Sequence, residues 1–346
     1  MLTKLSLEIQ NSLAKKIQNQ FPVIEKPFAH LAKEFSITEE EVLNQIKEWK
    51  EQKYLREISA VVEGEVFDFE SALVGAEIPL YDLERVVGFL KEHPMVTHLY
   101  LRNYTINLWF TIAIEKEIGL ERHLEEISSL LKYPFYTFRR TQTFKIGVNF
   151  DLISKKNQTE KKDLKKVQKF PKEELTEKIK QIIRAIQTPL PIEDQPFKKL
   201  AKDFDIKEEE IIKFIQTSPY GSVRKYVATF QHRNLGVSYN AMVVWQVPET
   251  QMEEMGNQLS QYPEVSHCYA RTYLERFPYN LYSMIHSADE VSGMQLIKKI
   301  ARDLKIRNYL VLYSPVEYKK TRLRYFTQEW GKFITKYGFY TANYKK

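Results

Sequence analysis

The sequence predicts an α+β protein in which one unit, two helices followed by the order β-α-β-β-α-β, is written twice in 346 residues. PFAHLAKEF from Pro27 returns as PFKKLAKDF from Pro196, and HPMVTHLYLR from His93 returns as YPEVSHCYAR from Tyr262, at one common spacing. Two distant matches at one spacing indicate a duplicated domain. The 43% hydrophobic content, with 20 Phe and 21 Tyr, is sufficient to fill sizeable cores and excludes wholesale disorder.

Each copy opens with two helical segments. In the first copy a short helix passes through Phe28 and Leu31, and a second helix begins after Thr38, where Glu41 completes a capping box. Val42 and its neighbours one turn further along continue the apolar face of this second helix. Two helices joined by a short turn predict a helix-turn-helix.

The second half of each copy alternates strands and helices. In the first copy we predict strands near 71–79, 96–102, 106–114 and up to 150, with helices at 81–92 and up to 131; the second copy has strands near 239–247, 265–271, 280–286 and 309–318. The order is the ferredoxin-like arrangement. The predicted segments are a helical tail at 1–20, helix-turn-helix pairs at 21–54 and 178–220, ferredoxin-like domains at 55–153 and 221–346, and a basic linker at 154–177.

Charge and composition exclude several classes of protein. The formal charge of +7 comes mostly from lysines between residues 154 and 180, so it marks a linker more than a binding face. The single cysteine, Cys268, cannot form an internal disulfide, and no Cys/His spacing for a structural metal is present. No apolar run reaches the roughly 18 residues of a membrane span, so we expect a cytoplasmic chain without a membrane partner.

The helices that would read DNA carry the wrong charge for that task. Residues 38–41 read Thr-Glu-Glu-Glu and residues 207–210 read Lys-Glu-Glu-Glu, which places carboxylates where a recognition helix approaches phosphates. Acidic side chains at a helix N-terminus stabilise the helix itself. We therefore expect no specific DNA binding and interpret these segments as structural.

Two strands of the second copy concentrate polar chemistry. Alternation places Val265, His267, Tyr269 and Arg271 on one face, with Ser266 and the other intervening residues opposite. The next strand sets Asn280, Tyr282, Met284 and His286 on one face, so two histidines could converge.

The first copy differs from the second at these positions. It keeps His98, Tyr100 and Arg102 but has Ala113 where the second copy has His286. Its FKIGVNF segment keeps only Lys145, whereas YKKTRLRYF offers Lys319, Lys320, Arg322 and Arg324. The second copy is therefore the one that we expect to bind a flat polyanion with several carboxylates.

The helix-turn-helix and sandwich pattern resembles the Lrp/AsnC regulators, whose sandwiches pair sheet to sheet. Here both partners lie in one chain, and the resemblance implies two sheets facing each other about a pseudo-twofold axis with a ligand cavity between them. The run YPEVSHCYARTYLERFPYNLYSMIH, preceded by VRKYVATFQHRNLGVSYNAMVVWQVP and followed by YLVLYSPVEYKKTR, resembles more closely the siroheme decarboxylases, which are relatives of those regulators. This resemblance covers nearly the whole chain except the N-terminal tail and the linker, and it is closest to the fused two-subunit form of haem d1 biosynthesis.

The resemblance implies removal of carbon dioxide from the ring C and D acetates of siroheme, at C12 and C18, to give 12,18-didecarboxysiroheme. Such a reaction needs cations to hold carboxylates and one positioned acid, while the macrocycle itself takes up the electrons. Catalytic candidates are His267 and His286, either of which could be the proton donor. The expected substrate-binding residues are carboxylate anchors at Arg271, Lys320 and Arg322, walls at Tyr269 and Tyr282, a rim at His232 and Arg224, and contributors at His98 and Arg102 across the cavity.

The expected partners are siroheme and didecarboxysiroheme, with other tetrapyrrole-pathway enzymes and a second copy of the chain as further candidates. We expect no cofactor and no protein-bound metal, because the siroheme iron belongs to the substrate. His30, His93 and His123 are interpreted as surface or structural residues. The alternative function is a haem- or siroheme-sensing transcription regulator of the Lrp/AsnC type.

Overall fold

The computed structural model describes residues 5–150, 157–160, 168–230 and 239–340, with backbone alone at 147–150 and 157–160. The helices are α1 Leu7–Asn19, α2 Pro27–Phe35, α3 Glu39–Glu51, α4 Leu83–Glu92, α5 Leu120–Leu131, α6 Glu177–Gln187, α7 Pro196–Asp203, α8 Glu208–Thr217, α9 Met252–Ser260, α10 Glu290–Asp303 and α11 Gln328–Tyr337. The strands are β1 Leu55–Val62, β2 Phe69–Ala76, β3 Val96–Leu101, β4 Leu108–Glu115, β5 Phe135–Phe138, β6 Arg140–Phe150, β7 Asn157–Glu160, β8 Val223–Phe230, β9 Tyr239–Trp245, β10 Val265–Arg271, β11 Leu281–Ser287, β12 Tyr309–Tyr313 and β13 Val316–Lys320.

The chain divides into two compact units, and each takes segments from both copies of the repeat. Of the described residues, the helical unit holds 5–67, 149–150 and 168–230, and the sandwich unit holds 68–148, 157–160 and 239–340. The two helix-turn-helix pairs therefore share one unit, and the two sandwiches share the other. None of the helices in the described ranges has the length and apolar composition needed to cross a bilayer.

The helical unit is built from two equivalent halves. Pro27 and Pro196 begin α2 and α7, where a proline loses no helical hydrogen bond. The strand that follows each helix pair joins the other copy, because β1 and β8 form an antiparallel ladder with Leu55 opposite Phe230. Residues 55–62 and 223–230 thus belong to this unit, although the sequence pattern had the sandwiches begin at 55 and 221.

The acidic residues at the N-termini of α3 and α8 form hydrogen bonds and an ion pair within the helical unit. Thr38 and Glu41 form the predicted capping box, in which the Glu41 amide donates to Thr38 Oγ1 at 3.2 Å and the Thr38 amide donates to Glu41 Oε2 at 2.8 Å. In the second copy Glu210 accepts from the Lys207 amide at 3.3 Å and pairs with Lys178. These carboxylates stabilise helix ends, as their position predicts.

The sandwich unit contains two sheets, each carrying helices on one face. The first sheet has the order β13-β3-β4-β2-β5, and the second has the order β12-β9-β11-β10-β6-β7. Residues such as Val243, Trp245, Ile285 and Ile297 form the core between the second sheet and α10. The β-α-β-β-α-β order of both copies is confirmed.

The two copies exchange their last strands, which was not predicted from the sequence. The single strand expected at 309–318 is broken at Ser314 and Pro315: β12 stays in the second sheet, but β13 pairs with β3 of the first. Proline has no amide hydrogen to continue a ladder, so the chain changes sheets there. The first copy also changes sheets, at Arg139. Its β5 pairs with β2 of the first sheet, whereas β6 pairs with β10 of the second sheet.

Candidate active site

The predicted anchor Arg271 and the predicted contributor Arg102 hold equivalent positions at the strand exchange. Arg271 Nη1 donates to the Phe138 carbonyl at 2.8 Å, and Arg102 Nη1 donates to the Leu312 carbonyl at 2.7 Å. Each carbonyl lies at or near the end of the strand that precedes the change of sheet. The equivalent bonds in the two copies show that the duplication is preserved at the level of side chains.

Both guanidinium groups are buried without an acidic neighbour among the described residues. Burial lowers the pKa of Arg102 and of Arg271 from 12.5 to about 10, and the groups that oppose this are the tyrosines Tyr100 for the former and Tyr282 and Tyr269 for the latter. In each arginine the buried Nε has no hydrogen-bond partner within the described part of the chain. A buried cation that lacks a carboxylate is costly, and this cost would be relieved by an anion.

An aromatic cluster packs in part of the space between the two sheets, where a ligand cavity is predicted. Trp109 and Phe138 from the first copy stack with ring centroids 4.9 Å apart, and Phe138 lies 6.2 Å from Tyr282 of the second sheet. Trp109 and Tyr282 occupy corresponding positions in the two copies, so both copies contribute an aromatic side chain from the same position to this cluster. Large apolar side chains therefore fill this part of the space between the sheets.

A polar cluster lies on the inner face of the second sheet, where the two predicted histidines meet through a serine. Ser266 Oγ is 2.9 Å from His267 Nδ1 and 2.6 Å from His286 Nε2. The predicted convergence of the histidines is thus present, but it involves a third residue. Ser266 is 2% exposed, so its hydroxyl is shielded from bulk water.

A β-bulge brings Ser266 to this face, which corrects the prediction from strand alternation. Val265 pairs with Ile285 and His267 pairs with Met284, so Ser266 is an extra residue in β10. A bulge interrupts strict alternation. Val265 therefore turns into the core against the helices, and Ser266, predicted on the opposite face, joins the histidines.

The environment of His286 favours its neutral form. Burial, together with the positive charge of Lys320, lowers its pKa from 6.5 to about 4. Lys320 lies on β13 of the first sheet, so its charge acts on His286 from the sheet opposite. His286 is therefore uncharged at neutral pH.

The first copy has the same bulge but a shorter polar chain. Thr97 occupies the bulge between Val96 and His98, and its Oγ1 is 3.0 Å from His98 Nδ1 and 2.7 Å from Thr111 Oγ1. Ala113, at the position of His286, is buried and apolar. The predicted divergence of the copies is present in the structure, since at this bulge the second copy couples two histidines, whereas the first couples His98 to Thr97 and Thr111.

Lys320 lies beside His98 and not on the second sheet where we predicted it. The two residues are opposite each other in the β13–β3 ladder, and residues paired in this way share a face. Lys320 Nζ is 4.0 Å from Glu317 and its side chain is 43% exposed. The exchange of β13 thus brings this cation to the first sheet, across from His286. Arg322 follows the end of β13 and is half-buried.

The predicted tyrosine walls pack against cations and aromatic rings. Tyr269 lies with its ring 6.0 Å from that of His267 and 5.2 Å from the Arg271 guanidinium. Tyr282 is buried in the central aromatic cluster, 5.6 Å from Arg271. Burial raises the pKa of Tyr282, so its hydroxyl stays protonated. These packing contacts fit the predicted role of Tyr269 and Tyr282 as walls of the site better than a role as proton donors.

The two predicted rim residues are Arg224 and His232. Arg224 lies on β8 in the helical unit, where it pairs with Glu63 at 3.3 Å. His232 lies outside the described residues. The role of each as a rim residue stays a prediction.

The histidines interpreted as surface or structural divide between these roles. His30 is exposed on α2 beside Glu34. His93 and His123 are buried, and their Nε2 atoms are 2.8 Å apart. Both are therefore structural residues, and neither lies on the surface.

Two family models match separate parts of this chain. One described as "Siroheme decarboxylase NirDL-like HTH domain" matches residues 11–56 and 180–218, and one described as "AsnC-like ligand binding domain" matches 68–145 and 234–319. A siroheme decarboxylase from Hydrogenobacter thermophilus is 33% identical over 330 residues, which are 94% of this chain and 97% of that protein. This chain belongs to the siroheme decarboxylase family.

Other siroheme decarboxylases agree with the duplicated architecture. The crystal structure of the siroheme decarboxylase NirDL is similar to this chain with a TM-score of 0.76 and 29% identity, and the match covers 95% of this chain and 98% of that one. A second structure of NirDL, in complex with an iron-uroporphyrin III analogue, matches equally well. The siroheme decarboxylase beta subunit of Methanosarcina barkeri matches 41% of this chain with 95% of its own length, at 35% identity.

Ser266 is the residue of this cluster that was not predicted from the sequence. Alternation alone could not find it, because a bulge leaves no mark in a strand pattern. A signal was nevertheless present: in both copies a hydroxyl residue directly precedes the histidine, as Thr97–His98 and Ser266–His267. A residue type kept beside the same histidine in both copies indicates a shared local role.

Proposed function

We propose that this chain decarboxylates siroheme, removing carbon dioxide from the ring C and ring D acetates at C12 and C18 without a cofactor, to give 12,18-didecarboxysiroheme for haem d1 synthesis. The observation that carries this proposal is the full-length similarity to a siroheme decarboxylase at 33% identity, which extends through both copies of the repeat. A neighbouring structure with an iron-uroporphyrin III analogue supports a tetrapyrrole as the substrate class. The histidine cluster of the second sheet supplies the chemistry.

The reaction exchanges a carboxylate for a proton. The bond between the methylene and carboxyl carbons breaks, the electron pair passes into the macrocycle and returns to the methylene carbon, and one proton is added there. His267 or His286 supplies that proton. We assign the donor role to His267, which lies next to the predicted wall residue Tyr269, and a supporting role to His286, which burial and Lys320 favour in its neutral form.

Cations around the cluster hold the carboxylates that are not removed. Lys320 lies across from His286, and Arg322 follows it on the same segment. Arg102 and Arg271 are buried cations without a carboxylate among the described residues, so an anionic side chain of the substrate would compensate them. Tyr269 lies between His267 and Arg271 and would form a wall for the flat ring system.

One site carries out both decarboxylations in this proposal. Ala113 replaces the second histidine in the first copy, so the equivalent cluster around His98 has an apolar side chain at that position. The substrate must then turn or shift between the two losses. His98, next to Lys320, would contact the substrate from the opposite sheet.

The experiment is anaerobic incubation of siroheme with the purified chain, followed by mass spectrometry. We expect loss of one and then two carbon dioxide masses without added oxidant, reductant or metal. The matched control is the variant with both His267→Ala and His286→Ala, which should bind siroheme and leave it unchanged. Unchanged siroheme with the wild-type chain, or conversion only when an oxidant is added, would contradict the proposal.

A further inference from the structure

One buried hydroxyl contacts a ring nitrogen of each histidine on the second sheet. The bulge in β10 turns Ser266 Oγ to the inner face, 2.9 Å from His267 Nδ1 and 2.6 Å from His286 Nε2. The Met284 carbonyl lies farther from this hydroxyl, at 3.5 Å. Because Ser266 engages Nδ1 of His267, Nε2 is the nitrogen from which that ring would deliver a proton.

The Ser266 hydroxyl has a single proton, and this restricts the protonation of both rings. A hydroxyl donates one hydrogen bond and can accept two. When Nδ1 of His267 carries a proton, it donates to Ser266, and the Ser266 proton must point to another acceptor. Nε2 of His286 is nearer to Ser266 Oγ than the Met284 carbonyl is. A neutral His286 with a bare Nε2 is therefore the partner that this arrangement requires, and burial and Lys320 favour the neutral form.

We propose that Ser266 and His286 form a positioning pair for the acid His267. In this pair His286 accepts the proton of Ser266, and Ser266 accepts from Nδ1 of His267. The inference rests on the proposed function and names how its acid is held. His286 acts through Ser266 and gives no proton to the substrate.

The proton transfer balances while these hydrogen bonds stay unchanged. Carbon dioxide leaves, the electron pair returns through the macrocycle to the methylene carbon, and that carbon takes the Nε2 proton of the His267 imidazolium. The ring becomes neutral and still donates from Nδ1 to Ser266. A proton from solvent then returns to Nε2 before the next loss. Because the hydroxyl keeps the same partners throughout, the site is organised before each transfer, and both decarboxylations use the same arrangement.

The equivalent bulge of the first copy holds its histidine differently. Thr97 Oγ1 is 3.0 Å from His98 Nδ1, but its second partner is Thr111 Oγ1 at 2.7 Å. The Thr111 hydroxyl can donate as well as accept, so it does not fix the direction of the Thr97 proton. Ala113, at the position of His286, has no polar side-chain atom that could accept it. Between the two bulges, the arrangement that fixes the acid is therefore that of the second copy.

The sharpest test compares His286→Gln with His286→Ala in anaerobic reactions at saturating siroheme, with rates from product mass. The amide oxygen of glutamine can accept the Ser266 proton in place of Nε2, but an amide is not a proton donor to carbon near neutral pH. His286→Gln should therefore react at least about tenfold faster than His286→Ala. His267→Gln, which removes the acid itself, should be as slow as His267→Ala. Equal rates for the two His286 variants would overturn the positioning role.

The second test changes the hydroxyl itself. Ser266→Ala should slow both losses alike, at least about tenfold at saturation, because the acid is no longer held in place. Siroheme affinity, titrated by absorbance, should change less than about twofold, since no group that grips carboxylates is removed. Ser266→Thr keeps a hydroxyl, as Thr97 does in the first copy, and should restore most of the lost rate.

The matched control is Ser283→Ala. Ser283 is a buried serine of the neighbouring strand β11, and its hydroxyl accepts from Trp245 Nε1 at 2.9 Å. Its loss should reduce stability but leave the saturated rate within about twofold of wild type. A wild-type rate in Ser266→Ala, or equal slowing by Ser266→Ala and Ser283→Ala, would overturn the positioning pair while leaving the proposed function intact. If the wild-type chain leaves siroheme unchanged, the proposed function fails and the positioning pair fails with it.

Discussion

Acid should destabilise the sandwich unit through its buried histidine pair, and the size of the effect can be worked out from the structure. His123 is buried against His93, with Nε2 atoms 2.8 Å apart, and its Nδ1 contacts the Tyr340 hydroxyl. Burial lowers the pKa of His123 from 6.5 to about 3, and it lowers that of His93 in the same direction. Because the folded-state pKa lies below the unfolded value, the stabilisation is complete above pH 6.5 and is lost as the pH falls toward 3.

The loss at pH 5 can be calculated for His123 alone. Below the unfolded-state pKa, each pH unit costs about 1.4 kcal/mol while the folded ring stays neutral, so a fall from pH 7.5 to 5.0 removes about 2 kcal/mol. The assay is urea unfolding at both pH values, followed by tryptophan fluorescence. Trp330 reports on the cluster directly, because its ring lies 5.5 Å from each of the two histidines.

The variant that isolates this contribution is His123→Gln. It should be less stable than wild type at pH 7.5, because buried hydrogen bonds change, but it should lose about 2 kcal/mol less than wild type between pH 7.5 and 5.0. His30→Gln, at an exposed position of α2, is the control and should match the wild-type acid loss. Equal acid losses for His123→Gln and wild type would refute the reasoning.

Three further predictions concern the site and its partners. Lys320→Ala and Arg322→Ala should weaken siroheme binding, measured by absorbance titration, more than they lower turnover at saturation. The reason is that these cations hold a carboxylate in the ground state and in the transition state alike. A loss of turnover without weaker binding would contradict this. His267→Ala and His286→Ala should lower the rate of product formation by about 10²- to 10⁴-fold, and His98→Ala should cost less than either; the reverse order would place the site on the first sheet. Footprinting on promoter DNA should show no salt-resistant, sequence-selective protection, because the acidic starts of α3 and α8 oppose phosphates.

The duplication and the order of elements could be predicted because they are local properties of the sequence. Repeated fragments around Pro27 and Pro196 set the two copies in register, and the capping box at Thr38 set a helix start. Each repeated fragment, and the capping box, consists of residues that are close together in the chain.

The exchange of β6 and β13 between sheets could not be predicted in the same way. A strand's apolar pattern gives its faces but not its partner, and the pairing of Lys320 with His98 joins residues more than half the chain apart. Pro315 marked a break in the last strand, but the direction of the chain after a break depends on tertiary packing. Lys320 was therefore assigned to the wrong sheet.

The candidate site was predicted in part. His267 and His286 meet as strand alternation suggested, because adjacent strands place residues of like parity together. The serine between them was missed because a one-residue bulge reverses the parity of the residues on either side of it. The cavity between the sheets was expected by analogy and stays a prediction, since Trp109 and Tyr282 occupy only part of that space.

The most direct test of the central claim, that side chains of this chain exchange each carboxylate for a proton, is anaerobic turnover of siroheme in deuterium oxide with mass analysis of the product. We predict two losses of carbon dioxide, each accompanied by one solvent-derived deuteron in the new methyl group, with no added oxidant or reductant. Siroheme recovered unchanged, or carbon dioxide loss that occurs only with an added oxidant, would contradict the account.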